Sequence, residues 1–209
     1  MVRQRVELKE RVLQEIGVLG DTANLRVYVV GGYVRDALLG TRVKDIDILV
    51  VGDGIEFARM VAEKWGKTNL VVYEKFGTAM LHDNEHKIEF VGARKESYRK
   101  KSRKPDVESA TLEQDLSRRD FTVNAIAASL NKEDFGAVVD PYDGRKDLQK
   151  KVIRTPLEPE ATFDDDPLRI MRALRFAAQL EFKVDPSILK AARKMSQRLE
   201  IVSVTIACQ

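Results

Sequence analysis

Apolar positions open the chain at helical spacing: Val12, Ile16 and Leu19 predict an amphipathic helix that stops at Gly20. The period then shortens. Val27 to Val30 is a β-branched run ended by Gly31-Gly32, a strand feeding a tight turn. Tyr33 to Leu39 reads as one or two helical turns stopped at Gly40, and Ile46 to Val51 as a second strand turned at Gly52-Asp53-Gly54. Phe57, Ala58, Val61, Ala62 and Trp65 restore helical spacing with one buried stripe. Leu70 to Tyr73, Thr78 to His82 and Lys87 to Val91 read as three strands, the last two joined as a hairpin across Asp83-Asn84-Glu85-His86.

Beyond this the pattern loosens. The basic stretch up to Pro105 reads as a loop, and Phe121 to Leu130 is an apolar run that fits helix or strand. Val138-Val139 and Val152-Ile153 predict short strands around a turn at Asp140-Pro141-Tyr142-Asp143-Gly144, with a short helix about Asp147-Leu148. After Pro156-Leu157-Glu158-Pro159 the pattern is helical, starting firmly at Asp166-Pro167, with a second helix from about Pro186 to Leu199. The expected architecture is an α/β (α+β) head over residues 1–157, a small mixed sheet flanked by helices, followed by an all-helical segment over 158–209.

With 209 residues, 44% hydrophobic and 33% charged, the chain has the material for a sizeable core. The net charge of +3 does not itself specify a nucleic-acid partner. Its distribution is more informative: seven of the eleven residues from Arg94 to Lys104 are basic, among them Arg99, Lys100, Lys101, Arg103 and Lys104. Such a block fits a solvated loop or a surface that lies along an RNA backbone. A single cysteine, Cys208, excludes an internal disulfide and a thiolate metal cluster, which suits a reducing compartment. No hydrophobic signal-peptide core opens the chain, and runs such as Ile48-Leu49-Val50-Val51 are too short to cross a membrane. The expected location is cytoplasmic; the oligomeric state is not legible.

Candidate chemistry begins at Lys44-Asp45-Ile46-Asp47-Ile48. On a strand, Asp45 and Asp47 project from one face while Ile46 and Ile48 take the other. Adjacent carboxylates repel, and a divalent cation such as Mg²⁺ relieves that repulsion. Asp-x-Asp alone also fits a strand end or a solvated turn. Here it follows a strand, a double glycine and a short helix, and Gly31-Gly32 allows backbone N–H groups to approach phosphate oxygens at a helix N-terminus. The glycine spacing matches neither a dinucleotide fingerprint nor a P-loop.

Two further constellations follow. One is Arg118-Arg119-Asp120-Phe121-Thr122-Val123-Asn124-Ala125, in which an arginine suits triphosphate oxygens and an aspartate a ribose hydroxyl; a structural salt bridge is the other reading. The other is Asp165-Asp166-Pro167-Leu168-Arg169-Ile170-Met171-Arg172-Ala173-Leu174-Arg175-Phe176. Asp166 suits an N-cap and Pro167 the first helical position. Arg169, Arg172 and Arg175 fall on one side of this helix, with Ile170, Ala173, Leu174 and Ala177 opposite. Three like charges repel unless an anion lies nearby, so the face fits a triphosphate or RNA backbone as well as solvent.

The run from Val29 through Gly31, Gly32 and Arg35 to Gly40, followed by Lys44-Asp45-Ile46-Asp47, resembles the opening motif of class II tRNA nucleotidyltransferases (CCA-adding enzymes) and bacterial poly(A) polymerases. These belong to the polymerase-β-like superfamily. The other two constellations match that family's later motifs, and Asp165-Asp166 replaces its usual Glu-Asp. The resemblance implies that Asp45 and Asp47 hold two catalytic Mg²⁺ ions, with Glu89 as a third acidic group. It implies that Gly31, Gly32, Arg35, Arg119 and Asp120 hold the triphosphate and sugar. Asp166 and Arg169 would pair with the base of CTP or ATP, and Arg172 and Arg175 would contact the nucleotide.

The implied activity is template-independent addition of C and A nucleotides to the tRNA 3′ end, releasing pyrophosphate. Val91-Gly92-Ala93-Arg94-Lys95-Glu96-Ser97-Tyr98 departs from the Gly-basic-basic-Phe segment usual in poly(A) polymerases and favours CCA addition. Enzymes adding only CC or only A share this head. A non-catalytic RNA-binding protein on the same fold would be expected to have damaged motifs, and these are intact. The resemblance covers roughly residues 25 to 200, and family members carry further body and tail helices that grip tRNA. The expectation is a truncated piece that binds Mg²⁺ and nucleotide but handles tRNA poorly. His82 and His86 receive no role.

Overall fold

The computed structural model describes residues 4–41, 45–83, 86–98 and 105–201, with the side chains of 95–98, 105–109 and 201 excepted. A seven-stranded sheet forms the centre, in the order β3-β4-β5-β2-β1-β8-β9. Its strands are β1 (Arg26–Val30), β2 (Asp45–Val51), β3 (Val71–Tyr73), β4 (Thr78–His82), β5 (Lys87–Gly92), β8 (Ala127–Ser129) and β9 (Val138–Val139). Within this sheet only β2 and β5 pair in parallel; its other neighbours are antiparallel. β6 (Arg94–Tyr98) and β7 (Pro105–Ser109) form a separate antiparallel pair.

Alternation along β1 and β2 divides the core. Val27, Val29, Ile46, Ile48 and Val50 face the main apolar cluster beneath α1 (Arg11–Thr22) and α3 (Gly54–Lys64). Tyr28, Val30 and Leu49 face a smaller cluster closed by Leu116 of α4 (Leu112–Ser117). α2 (Gly32–Leu39) connects β1 to β2, and α5 (Gly144–Lys150) precedes the short β10 (Val152–Ile153). The remaining helices are α6 (Pro159–Asp165), α7 (Leu168–Leu180) and α8 (Pro186–Lys194); between α7 and α8, β11 (Lys183–Val184) pairs in parallel with β10. Phe163, Ile170, Ala173, Phe182, Ile188 and Ala191 from this helical part join the main cluster. Among the described residues no helix is long and apolar enough to cross a membrane.

Several elements differ from their sequence expectation. α1 runs past Gly20 to Thr22, because this glycine marks a close approach: a Cβ there would lie 2.6 Å from Val27 Cγ2. The stretch expected as a loop contains paired strands, with Arg94 opposite Ser109 and Tyr98 opposite Pro105. Backbone pairing supplies that ladder without an apolar alternation for the sequence to display. Arg99, Lys100, Lys101, Arg103 and Lys104 lie outside the described residues, as do Lys44, Asn84, Glu85 and Cys208. The ambiguous run from Phe121 resolves into a 3-10 turn at Thr122–Asn124 and then β8. β9 closes the main sheet edge, so the two strands expected around one turn belong to different sheets. α8 ends at Lys194, and a 3-10 segment, Ser196–Ile201, replaces the last expected turns.

α7 is rotated from its expected facing. Leu174 is 53% exposed, whereas Arg169 is only 8% exposed. The apolar face is Ile170 and Ala173, and Arg169 flanks them inward.

Candidate active site

Asp45 and Asp47 stand on the β2 face that continues into Leu49, as strand alternation requires. Parallel pairing sets Glu89 beside Asp47 and Lys87 beside Asp45. Antiparallel pairing puts Val30, the last residue of β1, opposite Asp47, so the turn leaving β1 arrives at the carboxylate. Gly31 turns the chain into α2 at φ 70. A Cβ at this position would sit 3.0 Å from Arg119 Nη1 and 3.7 Å from Asp47 Oδ2. Both the positive φ and the crowding call for glycine.

Burial pushes the Asp47 carboxyl up. Arg119 and Lys87 act against this, while the charges of Glu89 and Asp45 add to it. Burial and the neighbouring carboxylates thus disfavour the ionised form of Asp47, and a hard divalent cation with oxygen ligands would stabilise it. Glu89 contributes charge but does not line the cavity described below. Among the described residues, no three acidic, histidine or cysteine side chains gather closely enough to hold a metal.

Across the turn, Asp120 is 7% exposed and fully engaged. Its Oδ1 accepts from Phe121 N at 2.8 Å and from Asn124 Nδ2 at 3.0 Å. Its Oδ2 accepts both from Arg172 Nε at 2.8 Å and from Arg172 Nη2 at 2.5 Å. Asn124 also accepts from Arg35 Nη1 at 2.7 Å, while Arg35 Nε donates to Asp36 at 2.7 Å. One amide thus joins a carboxylate of one motif to a guanidinium of another. Phe176 is the second organiser: Arg35, Arg172 and Arg175 lie 5.4, 5.3 and 5.3 Å from its ring centroid.

These groups converge on a cavity of about 670 Å³. Gly31, Gly32, Arg35, Asp45, Asp47, Arg119, Asp120, Asp166, Arg169 and Arg172 all line it; Arg175 does not. Arg118, Asn124 and Phe176 complete much of the wall, three positions for which the residue pattern specified no role. Asp166 Oδ1 accepts from Leu168 N at 3.1 Å and so caps the first turn of α7. Arg169 is nearly buried, yet among the described residues its guanidinium makes no hydrogen bond or ion pair, and it opens onto the cavity.

The sequence pattern missed Asp115, a buried residue of α4 whose two carboxylate oxygens take Arg118 and Arg119 respectively. Burial alone would raise its carboxyl, but the guanidiniums of Arg119 and Arg118 hold it below the usual carboxylate range. An acid three and four positions before an Arg-Arg pair on a helical segment was the available signal.

A carboxylate pair on a central strand, a glycine turn at a helix start and an arginine-lined cavity suit the binding of a nucleoside triphosphate. The model of the poly(A) polymerase head domain matches residues 27–154, and the chain belongs to that family. Over 170 residues it is 48% identical to an A-adding tRNA nucleotidyltransferase of Aquifex aeolicus (strain VF5), covering 81% of this chain and 20% of that protein. It is 39% identical over 184 residues to a CCA-adding enzyme of Ligilactobacillus salivarius (strain UCC118), covering 87% and 43%. A solved tRNA nucleotidyltransferase, complexed with a primer tRNA and an incoming ATP analog, superposes with a TM-score of 0.75 at 42% identity, covering 88% of this chain and 51% of that one. The chain thus spans between a fifth and about half of these proteins.

Proposed function

We propose that this chain is the catalytic part of an enzyme that adds C and A nucleotides to the 3′ end of tRNA in the cytoplasm, using CTP and ATP. The observation that carries this reading is the meeting, in one cavity, of the Asp45–Asp47 pair with the Gly31 turn and the arginines of three separate segments. The names of its relatives support tRNA as acceptor. Residues 1–157 are read as the head and 158–209 as the helical segment that reads the base.

Asp45 and Asp47 would hold two Mg²⁺ ions, with Glu89 as an outlying acidic group. Bound Mg²⁺ supplies Lewis acidity, activating the attacking hydroxyl and stabilising the leaving pyrophosphate. The reaction is in-line attack by the tRNA 3′ oxygen on the α-phosphate of CTP or ATP. The new P–O bond forms as the bond to the β-phosphate bridging oxygen breaks and pyrophosphate departs. Gly31 and Gly32 admit the triphosphate to the N-terminus of α2, where Arg35 and Arg119 bind its oxygens. Asp120, fixed by Asn124 and Arg172, orients the sugar.

Asp166 and Arg169 select the base. Arg169 lies on the cavity wall, where its guanidinium can donate to the edge of a base. Arg172 contacts the nucleotide from α7, while Arg175 acts from behind Phe176. The basic residues Arg99, Lys100, Lys101, Arg103 and Lys104 are read as RNA contacts.

The names of the relatives at 48% and 41% identity favour a second reading, addition of the terminal A alone. Incubating the chain with Mg²⁺, labelled CTP or ATP, and tRNA ending at the discriminator base or at CC distinguishes the two. C and then A on the first substrate supports CCA addition. A only, and only on the CC-ended tRNA, supports the A-adding reading. Long adenosine tracts on any RNA would overturn both in favour of a poly(A) polymerase.

A further inference from the structure

Arg119 reaches the Gly31 turn because something behind it fixes its plane. Its Nε and Nη2 donate to Asp115 Oδ2 at 3.2 and 3.0 Å. A planar guanidinium held by that edge has little freedom left. Nη1 then falls on the opposite side, 3.0 Å from the point where a Gly31 Cβ would stand.

The other oxygen of Asp115 is equally committed. Oδ1 accepts from Arg118 Nε at 3.1 Å, from Arg118 Nη2 at 2.6 Å and, more weakly, from Arg94 N at 3.4 Å. Arg118 Nε also donates to the Arg94 carbonyl at 3.1 Å. One fully buried carboxylate therefore gathers both arginines and the first residue of β6. α4, which carries it, is fixed at its start by a capping box between Thr111 and Gln114.

We infer that Asp115 is a positioning residue for nucleotide binding: it aims Arg119 at the triphosphate and, through Arg118, fastens the start of the β6–β7 pair to the same cavity wall. This rests on the proposed nucleotide reading of the cavity. Asp115 touches no substrate; it acts through Arg119. Without it, Arg119 keeps its charge but loses its direction, so affinity falls without any loss of a phosphate-binding group.

A double-mutant cycle on the whole chain tests this, by calorimetric titration of CTP and of ATP in the presence of Mg²⁺. Asp115→Asn and Arg119→Ala are each expected to weaken both nucleotides by roughly tenfold, the worth of one charge-assisted hydrogen bond. The double variant should bind no more weakly than Arg119→Ala alone, because Asp115 has nothing left to aim. Loss of stability is expected either way; for a merely structural Asp115 its effect on affinity would multiply with that of Arg119→Ala. That multiplication, or wild-type affinity in Asp115→Asn, overturns the inference. Should Asp115→Asn not fold, Asp115→Glu keeps the charge but displaces the carboxylate. It is expected to bind CTP several-fold more weakly, and unchanged affinity again overturns the inference. Wild-type protein that binds neither nucleotide overturns the underlying reading of the cavity, which a multiplicative cycle in a binding-competent protein does not.

Discussion

Asp47 and Asp115 lie on either side of the same arginine and are driven in opposite directions. Asp115, on α4, is sealed from solvent with two guanidiniums around it, and its carboxyl is held below the ordinary range despite its burial. Asp47, on β2, is raised by burial and by Glu89 and Asp45, with Arg119 opposing. Arg119 is ion-paired with Asp115, and at Asp47 its charge only opposes the rise. Buried charge is tolerated where its partners are in place; Asp115 meets that condition within the protein, whereas at Asp47 burial and two neighbouring carboxylates outweigh Arg119 and Lys87. The α4 side of the cavity is therefore scaffold, and the β2 side is where an exogenous charge belongs.

Breaking the completed side is expected to have the largest effect. Asp115→Asn should lower the unfolding free energy at neutral pH by about 3 kcal/mol, as expected for a buried pair that loses one partner. Because the folded carboxyl titrates below its unfolded value, this contribution is present above roughly pH 4 and lost as pH falls through the folded value. Urea unfolding curves of wild type and variant should thus converge in acid.

Arg172→Ala should cost about 2 kcal/mol in the same measurement, since Asp120 would keep only neutral donors for its buried charge. Asp47→Asn tests the incomplete side and should have the opposite sign. In metal-free buffer at neutral pH it is expected to raise stability by about 1 kcal/mol, because an under-neutralised carboxylate is removed. Added Mg²⁺ should then raise the thermal midpoint of wild type but not of Asp47→Asn. A destabilised Asp47→Asn would erase the contrast between the two aspartates.

The incomplete side was the more legible in the sequence. Period-two alternation alone places Asp45 and Asp47 on one face, and Gly31-Gly32 announces a turn whose positive φ at Gly31 calls for glycine. The completed side was obscured because its partners meet through folding. Asp115 sits near Arg119 in the chain, but nothing in the pattern says that the cluster is buried or linked to Arg94. Phe176 likewise reads as an apolar helix residue until three guanidiniums are found about its ring. The facing of α7 misled for a related reason: Leu174 looked like core and Arg169 like surface. A buried arginine beside a polar cavity reverses the rule that charge faces water. β6 and β7 escaped because a two-stranded ladder apart from the main core imposes no hydrophobic period.

Calorimetric titration of CTP with and without Mg²⁺, on the wild-type chain and on Asp45→Asn/Asp47→Asn, tests the central claim most directly. Mg²⁺ is expected to tighten CTP binding to wild type at least about tenfold, and the double variant, still folded by circular dichroism, to lose this metal dependence. Mg²⁺-dependent binding that persists undiminished without both carboxylates would contradict the assignment of the β2 pair as the cation site.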